Sequence, residues 1–298
     1  MNRKWAWGTL AVLAGIGAYA VWIEPRWLQV RRATIYMRHL PRDLDGFRVA
    51  LLTDLHAGRK SHFNLIRRAV ALAMREQPDL VAVTGDFAAD DARDFTDVFD
   101  ALRELDAPVG VYAVPGNHDY VVGIEKWWHQ IKSSNLTDLT NRFVQLDIGD
   151  TRLCIAGVDD YYRGRPELIL PPPDERDITI LLAHSPDQAE RCRRASDSID
   201  LIVCGHTHAG QVRIPFLGSP LSSAEHADLY QEGLRRRPWT QVYISRGIGT
   251  VHLPVRLLAR PEVAVLELRN AARPALAPGE KFRQRFFSGA SLRWLPEA

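Results

Sequence analysis

The hydrophobic pattern of the first half of the chain alternates between two periods. The stretch "FRVALLTDLH" at 47–56 carries a nearly continuous apolar run and reads as a buried strand. By contrast, "NLIRRAVALAMREQ" at 64–77 places its apolar residues on one helical face. The pair then repeats: "PDLVAVTGDF" at 78–87 predicts a strand and "DFTDVFDALRELD" at 94–106 a helix. "VGVYAVPGNHD" at 109–119 predicts a third strand, followed by a helix over "GIEKWWHQIKSSN" at 123–135. Such alternation predicts βαβ units and a sheet with helices packed on it.

The second half changes character. "FVQLDIGDTRLCIAGVDD" at 143–160 predicts two strands around a Gly-Asp turn. Further strands are expected in "DITILLAHSP" at 177–186, "IDLIVCGHTHAGQVRIP" at 199–215, "QVYISRG" at 241–247 and "EVAVLELR" at 262–269, with fewer helices between them. A second sheet packed against the first, in one continuous α/β domain, accounts for this pattern. No internal repeat interrupts it.

The two ends stand apart from this alternation. From Trp5 to Ile23 there are 19 residues without a charge, after Arg3 and Lys4 and before "EPRWLQVRR". That is about the length that crosses a hydrocarbon core, and the tryptophans at its ends suit the two interfaces. A cleaved signal peptide is the competing reading, because "AYA" at 18–20 fits a cleavage site; the apolar run continues past it, which favours a retained anchor. "RRATIYMRHLPRDLDGF" at 31–47 reads as a connecting strand and turn, and "NAARPALAPGE" at 270–280 as a linker. The division expected is therefore an anchor and flank at 1–31, the α/β domain at 32–270 and a basic, aromatic tail at 271–298. That tail carries Lys281, Phe282, Arg283, Arg285, Phe286, Phe287 and Trp294, and docking at a membrane interface is its sharper reading.

Composition changes this picture little. With 46% hydrophobic and 25% charged residues, the 298-residue chain has the material for an ample core. A formal net charge of +2 gives no reason to expect a nucleic acid partner. Cys154, Cys192 and Cys204 give no framework of pairs and read as reduced thiols. Arg26, Arg31, Arg32 and Arg38 follow the apolar span closely, and this excess leans towards a cytoplasmic domain.

The chemistry gathers at the ends of the strands. Asp54 and His56 end the first strand, Asp86 the second, Asn117 and His118 the third, His184 another, and His206 and His208 the next. In open α/β sheets ligands bind beyond the carboxyl ends of the strands. A single Asp after a strand is commonly a turn or a helix cap, but five strands delivering Asp, Asn or His to one edge are hard to explain as packing. Within an extended "HTH", the two imidazoles point to the same side roughly 6.5–7 Å apart, so they can reach two separate ions about 3.5–4 Å apart. Four imidazoles, two carboxylates and an amide, with no thiolate, suit Mn, Fe, Zn or Co and disfavour a structural zinc–sulfur site. Two such ions can activate water at neutral pH, and their excess positive charge suits an anionic phosphate.

"DLH", "GD", "GNHD", a later His and "GHTH" occur in the order and with the flanking strands of the calcineurin-like metallophosphoesterases, which this chain resembles from about Leu40 to Leu268. "LPRDLDGFRVALLTDLH", "AHSPD", "GHTHAGQVRIP" and "SRGIGT" followed by "RPEV" are further similar to the membrane-tethered bacterial branch. That branch includes phosphodiesterases and a UDP-diacylglucosamine pyrophosphatase of lipid A synthesis. Ala209 stands where the branch more often has Gly. The resemblance implies a four-layer αββα sandwich and a metal-dependent phosphohydrolase, with manganese among the expected ions. It further implies one metal on Asp54, His56 and His208, a second on Asn117, His184 and His206, and Asp86 bridging. His118 would protonate the leaving oxygen or stabilise the transition state, with Asp119 or Asp54 orienting its ring.

The expected substrate is a phosphodiester or pyrophosphate, either a soluble small molecule or a lipid-linked one such as UDP-diacylglucosamine. The expected location is a bacterial inner membrane with a single-pass anchor. The rivals are a secreted or anchored general phosphatase and a scaffold that has lost catalysis; the full ligand set argues against the latter. Gln211 and Arg246 are candidates to touch substrate phosphate, and His252 to line the pocket. Tyr161, Tyr162 and Arg163 are candidates for a lid or acyl-chain groove, whereas His39, His62, His129 and His226 sit in contexts that suit surface roles.

Overall fold

The computed structural model describes residues 3–58, 60–89, 91, 93–193, 199–219, 223–272 and 292–293. The strand–helix units of the first half build one sheet from β1 (Gln29–Met37), β2 (Arg48–Leu52), β3 (Leu80–Thr84), β4 (Val111–Val114) and β5 (Thr137–Asp138). The second half builds another from β6 (Arg142–Ile148), β7 (Thr151–Gly157), β8 (Ile178–Leu182), β9 (Leu201–Cys204), β10 (Gly233–Arg236) and β11 (Gln241–Ile244). β12 (Glu262–Asn270) then returns to the first sheet, and β13 (Leu292–Arg293) pairs with β6 in the second. The orders are β1-β12-β2-β3-β4-β5 and β10-β11-β9-β8-β7-β6-β13. β2 to β5 run parallel, as do β7, β8, β9 and β11, so each sheet presents a set of carboxyl ends along one edge.

Both faces of the central strands are buried, which explains their continuous apolar runs. Val49 and Leu51 of β2, Leu80 and Ala82 of β3, Ile180 and Leu182 of β8, and Leu201 and Val203 of β9 meet between the sheets. The alternate residues Ala50, Leu52, Val81 and Val83 pack outward against α2 (Lys60–Arg75), α3 (Asp94–Leu102) and α4 (Asn117–Lys132). On the far side Leu181, Ile202, Cys204, Val242 and Ile244 face Ala189 of the short α5 (Gln188–Arg191), Cys192 and Tyr230. The fold is thus two mixed sheets with flanking helices, the outer layer over the second sheet being mostly loop among the described residues. Cys154, Cys192 and Cys204 are buried and free.

Three elements differ from the sequence reading. The expected connector at 31–47 contributes β1, a nine-residue edge strand paired parallel to β12 along its whole length. The helix after β4 starts at Asn117 rather than at Gly123, because Gly116 caps it and the Asp119 carboxylate accepts the Gly116 N–H at 2.8 Å. Gly123, at φ 139°, then kinks the helix where periodicity had placed its start. Within the tail 271–272 and 292–293 are described; the Ala271 N–H donates to the Met37 carbonyl, and Leu292 and Arg293 pair with Leu146 and Gln145. The aromatic and basic residues expected to dock at a membrane lie outside the described residues.

At the other end α1 (Arg3–Ala18) continues through a π-helical turn, Tyr19–Ile23, and a 3-10 turn, Glu24–Arg26. By length and composition the run Trp7–Arg26 can cross a membrane, a test that a signal sequence also passes. Its base is not a free tether. Ala20, Glu24 and Leu28 are buried. The Ala20 carbonyl accepts the Arg256 N–H at 3.0 Å, and the Glu24 carboxylate accepts the Ala259 N–H at 2.6 Å.

Candidate metal centre

All seven residues expected as ligands converge where the two sheets bring their carboxyl ends together. Asp54 and His56 follow β2, Asp86 follows β3, Asn117 opens α4, His184 follows β8, and His206 and His208 follow β9. Asp54, His56, Asp86, His184, His206 and His208 are all buried. Their donor atoms fall into three overlapping sets, each within 4.8 Å and able to hold a cation: Asp54–His56–His208, His56–Asp86–His118 and Asp86–His184–His206. Asn117 joins the last through its Oδ1, 3.1 Å from His184 Nε2.

Asp86 occupies the middle. Its Oδ2 lies 3.4 Å from His56 Nε2 and 3.3 Å from His184 Nε2, so it touches both groups. Its Oδ1 accepts the His118 N–H at 2.9 Å. Nitrogens face one another across the cluster, His56 Nε2 and His208 Nε2 at 3.1 Å and His184 Nε2 and His206 Nδ1 at 3.1 Å. The outward nitrogens find carbonyls: His184 Nδ1 is 2.8 Å from the Thr84 oxygen and His206 Nε2 3.2 Å from that of Ser223. With a proton on each outward nitrogen, a lone pair on His184 Nε2 and on His206 Nδ1 faces inward, the tautomers that a cation between them requires. Converging lone pairs and carboxylates in a water-poor pocket repel unless a cation or protons lie between them, so the donor set fits divalent metal.

The backbone is strained to achieve this convergence. Asp54, His56, Asp86, His206 and His208 all have positive φ, between 44° and 68°, each at a cost of about 1–3 kcal/mol that the surrounding packing must offset. Gly85, at φ 84°, lets strand β3 turn beneath them; a Cβ there would sit 2.6 Å from His184 Nδ1. The buried Asp119 carboxylate ties the loops together by accepting the N–H groups of Asp86, Phe87 and Gly116 at 2.8–2.9 Å. It is therefore committed to backbone and does not orient the His118 ring. Asp54 is likewise engaged by the His206 N–H and the Thr53 hydroxyl. Among the described residues His118 Nδ1 has no hydrogen-bond partner, and its ring meets His56 edge-on at 4.8 Å between centroids.

The calcineurin-like phosphoesterase sequence profile matches residues 47–210, the span that carries all seven candidate ligands and His118. This chain belongs to that family. The phosphoesterase is similar to phosphodiesterase YaeI of Escherichia coli, 33% identical over 87% of this chain and 95% of that one. It is also similar to metallophosphoesterase YkuE of Bacillus subtilis, 31% identical over 88% and 93%. A transmembrane protein with metallophosphoesterase domain from Bos taurus is 30% identical over 81% of this chain and 57% of its own. The protein is accordingly a metal-dependent phosphoesterase, a hydrolase.

Charge in the phosphoesterase site follows from burial and proximity. Burial works against a charged His184, but the Asp86 carboxylate, with Asp54 and Asp160, more than offsets it and pushes the ring up to about 10. Asp86 goes the opposite way: burial would raise it, yet His184, His56 and His118 hold it well below the usual carboxylate range. Burial, with Asp86 nearby, pushes Asp54 up to about 6. Burial also depresses His206 to about 4, with the charge on His184 adding to the effect. His208 is held well below the ordinary imidazole range by burial, then by His56 and Arg256.

The candidate substrate contacts are less central. Gln211 bridges to Val251, donating to its carbonyl at 3.0 Å and accepting its N–H at 2.8 Å. The Arg246 guanidinium pairs with Glu232 and lies 3.7 Å from Glu262. Tyr162 stacks on His206 at 5.1 Å while its hydroxyl donates to Asp187, so it walls the site. Tyr161 donates to Glu225 at 3.2 Å, and the Arg163 N–H to Asp160. His252 is exposed with its ring 6.4 Å from that of His118, on the rim. His39 pairs with Asp200, His226 with Asp187, and His129 is exposed. The side chain of His62 lies outside the described residues.

Arg256 is the residue that sequence reading missed. It is fully buried, with Nη2 3.3 Å from His208 Nδ1 and 2.9 Å from the Arg246 carbonyl, and Nη1 2.7 Å from that of Ala259. The signal was there as an arginine inside the apolar run "LPVRLLA" at 253–259, where a charge must find partners.

Proposed function

We propose that the phosphoesterase works with two divalent first-row cations. One is held by Asp54, His56 and His208, the other by Asn117, His184 and His206, with Asp86 shared between them. The supporting observation is the position of Asp86 Oδ2, 3.4 Å from a nitrogen of one group and 3.3 Å from a nitrogen of the other. Bound there, such ions activate water at neutral pH and offset charge on the phosphoryl oxygens. His118, the ring left without a partner at Nδ1, gives a proton to the leaving oxygen, while Tyr162 and the rim at His252 limit access of bulk water. The reaction is hydrolysis of a phosphodiester or pyrophosphate bond.

The wider reading is an anchor at 1–31, a catalytic domain at 32–270 and a tail at 271–298. The anchor is retained in a bacterial inner membrane with the domain on the cytoplasmic side, and the substrate is lipid-linked, of the UDP-diacylglucosamine kind. The uncharged helix continuous with the domain and the transmembrane relative support the tether. Chelation is expected to abolish hydrolysis of an aryl phosphodiester, and Mn or another first-row divalent ion to restore it. Asp86→Asn should bind fewer than two ions by elemental analysis. Full activity of metal-stripped protein, or two ions in Asp86→Asn at unchanged rate, refutes the shared site.

A further inference from the structure

Bulky apolar side chains stand exposed on three separate segments that are tied to one another beside the candidate metal centre. Ile214, Phe216 and Leu217 project from a tight turn closed by the Ile214 N–H on the Gly218 carbonyl. Leu253 and Leu258 project from the loop that follows β11, and Trp22, Ile23 and Trp27 from the base of the N-terminal helix. The first two segments are tied by a bridge between Val212 and Leu257, with Ile214, Phe216 and Leu258 lining one cavity. The loop is tied inward through the Gln211–Val251 hydrogen bonds, beside His252 and His118. It is tied to the anchor by the Arg256 N–H on the Ala20 carbonyl and by the Arg260 guanidinium 4.0 Å over the Trp27 ring.

That last connection sets the height of the rim. Ala20 precedes Arg26, the end of the apolar run, by six residues, about 9 Å along the axis at 1.5 Å per residue. A headgroup layer is roughly 5–7 Å thick on each side of the hydrocarbon core. With Arg26 at the outer limit of the headgroups, Ala20 lies about 2–4 Å inside the hydrocarbon boundary, so a loop bonded to it sits where headgroups meet acyl chains whenever the run is in a bilayer. Sheet topology agrees: β1 enters the first sheet at the edge where β2 ends, so the anchor leaves the domain from the edge that carries the metal centre. We propose that Ile214, Phe216, Leu217, Leu253 and Leu258 form a membrane-dipping collar that seats the mouth of the metal centre against the lipid headgroups. This inference rests on the retained anchor. Large exposed apolar side chains on segments joined to a span match the apolar side of a bilayer interface. The scissile phosphate then belongs to a lipid presented at that level.

The test uses the full chain in phosphatidylglycerol–phosphatidylcholine vesicles that contain a doxyl-labelled lipid. An environment-sensitive dye is attached in turn to Leu13→Cys, Phe216→Cys and Tyr36→Cys; the native cysteines are buried, and Tyr36 is exposed at the opposite edge of the first sheet. Quenching is expected at positions 13 and 216 and not at 36. Quenching at 13 without quenching at 216 overturns the collar and leaves the anchor standing. No quenching at 13 removes the anchor, and the collar with it. Changing Phe216 and Leu217 together to Ser should slow hydrolysis of a vesicle-embedded phospholipid several-fold and leave the rate on a soluble aryl phosphodiester unchanged. An unchanged rate on both substrates overturns the collar.

Discussion

His118 and His184 sit in one cluster and differ in every respect that matters to chemistry. His184 is fixed by the Thr84 carbonyl behind it and Asp86 in front, whereas His118 Nδ1 has no partner among the described residues. His118→Asn is expected to keep both proposed ions, measured by elemental analysis, and to lose roughly 10²–10⁴-fold in kcat, the usual worth of a general acid or base. The loss should shrink with a better leaving group, and loss of metal instead would make His118 a ligand. His184 carries the pH dependence of loading. Its folded-state value of about 10 lies above the ordinary 6.5, so in metal-free protein its charge contributes stability that is complete below about 6.5 and lost as pH rises through about 10. An entering cation must displace that proton. Affinity for Mn should therefore rise about tenfold per pH unit between 7 and 9 with one proton released, which calorimetry in buffers of different ionisation enthalpy detects.

At the scale of elements, α4 matters most, because its first turn carries Asn117 and His118. The helix is seated by Trp127, fully buried with its ring 5.6 Å from Phe87 and 6.5 Å from Phe99. Trp127→Ala should cost about 3–5 kcal/mol, read as a lowered denaturation midpoint. Trp127→Phe should cost less and keep the rate of the folded enzyme. The apolar runs of β2, β3, β8 and β9 were legible because both faces are buried and the side chains carry the pattern. The start of α4 was not, since a Gly116 cap closed by Asp119 leaves no periodic signal. β13 was invisible for a related reason: a two-residue strand has no period of its own.

For the whole molecule, the join between the N-terminal helix and the domain decides what can be removed. Cutting at Arg31 would strip Gln29 and Val30 from β1 and remove the buried Ala20, Glu24 and Leu28. A chain lacking residues 1–17 keeps those contacts. It should fold, hydrolyse a soluble aryl phosphodiester at the full-length rate and no longer sediment with membranes. A chain lacking residues 1–30 should melt at lower temperature, because the Ala259 N–H loses Glu24 and an edge strand is shortened. Equal melting temperatures for the two would show that the base of the helix is only a tether.

The order of strands, the polar residues that end them and the length of the first apolar run are properties of local pattern, and they determined the fold class and all seven candidate ligands. Which nitrogen of each imidazole faces inward was decided by carbonyls from residues far away in the chain, Thr84 for His184 and Ser223 for His206. The commitment of Asp119 to three loops, and of Arg256 to the space behind His208, likewise exists only once two sheets have brought their edges together. So does the proximity of the N-terminal helix to the candidate metal centre: Ala20 and Arg256 are 236 residues apart and joined by one hydrogen bond. Local pattern cannot encode such a contact, because it depends on β12 returning beside β1.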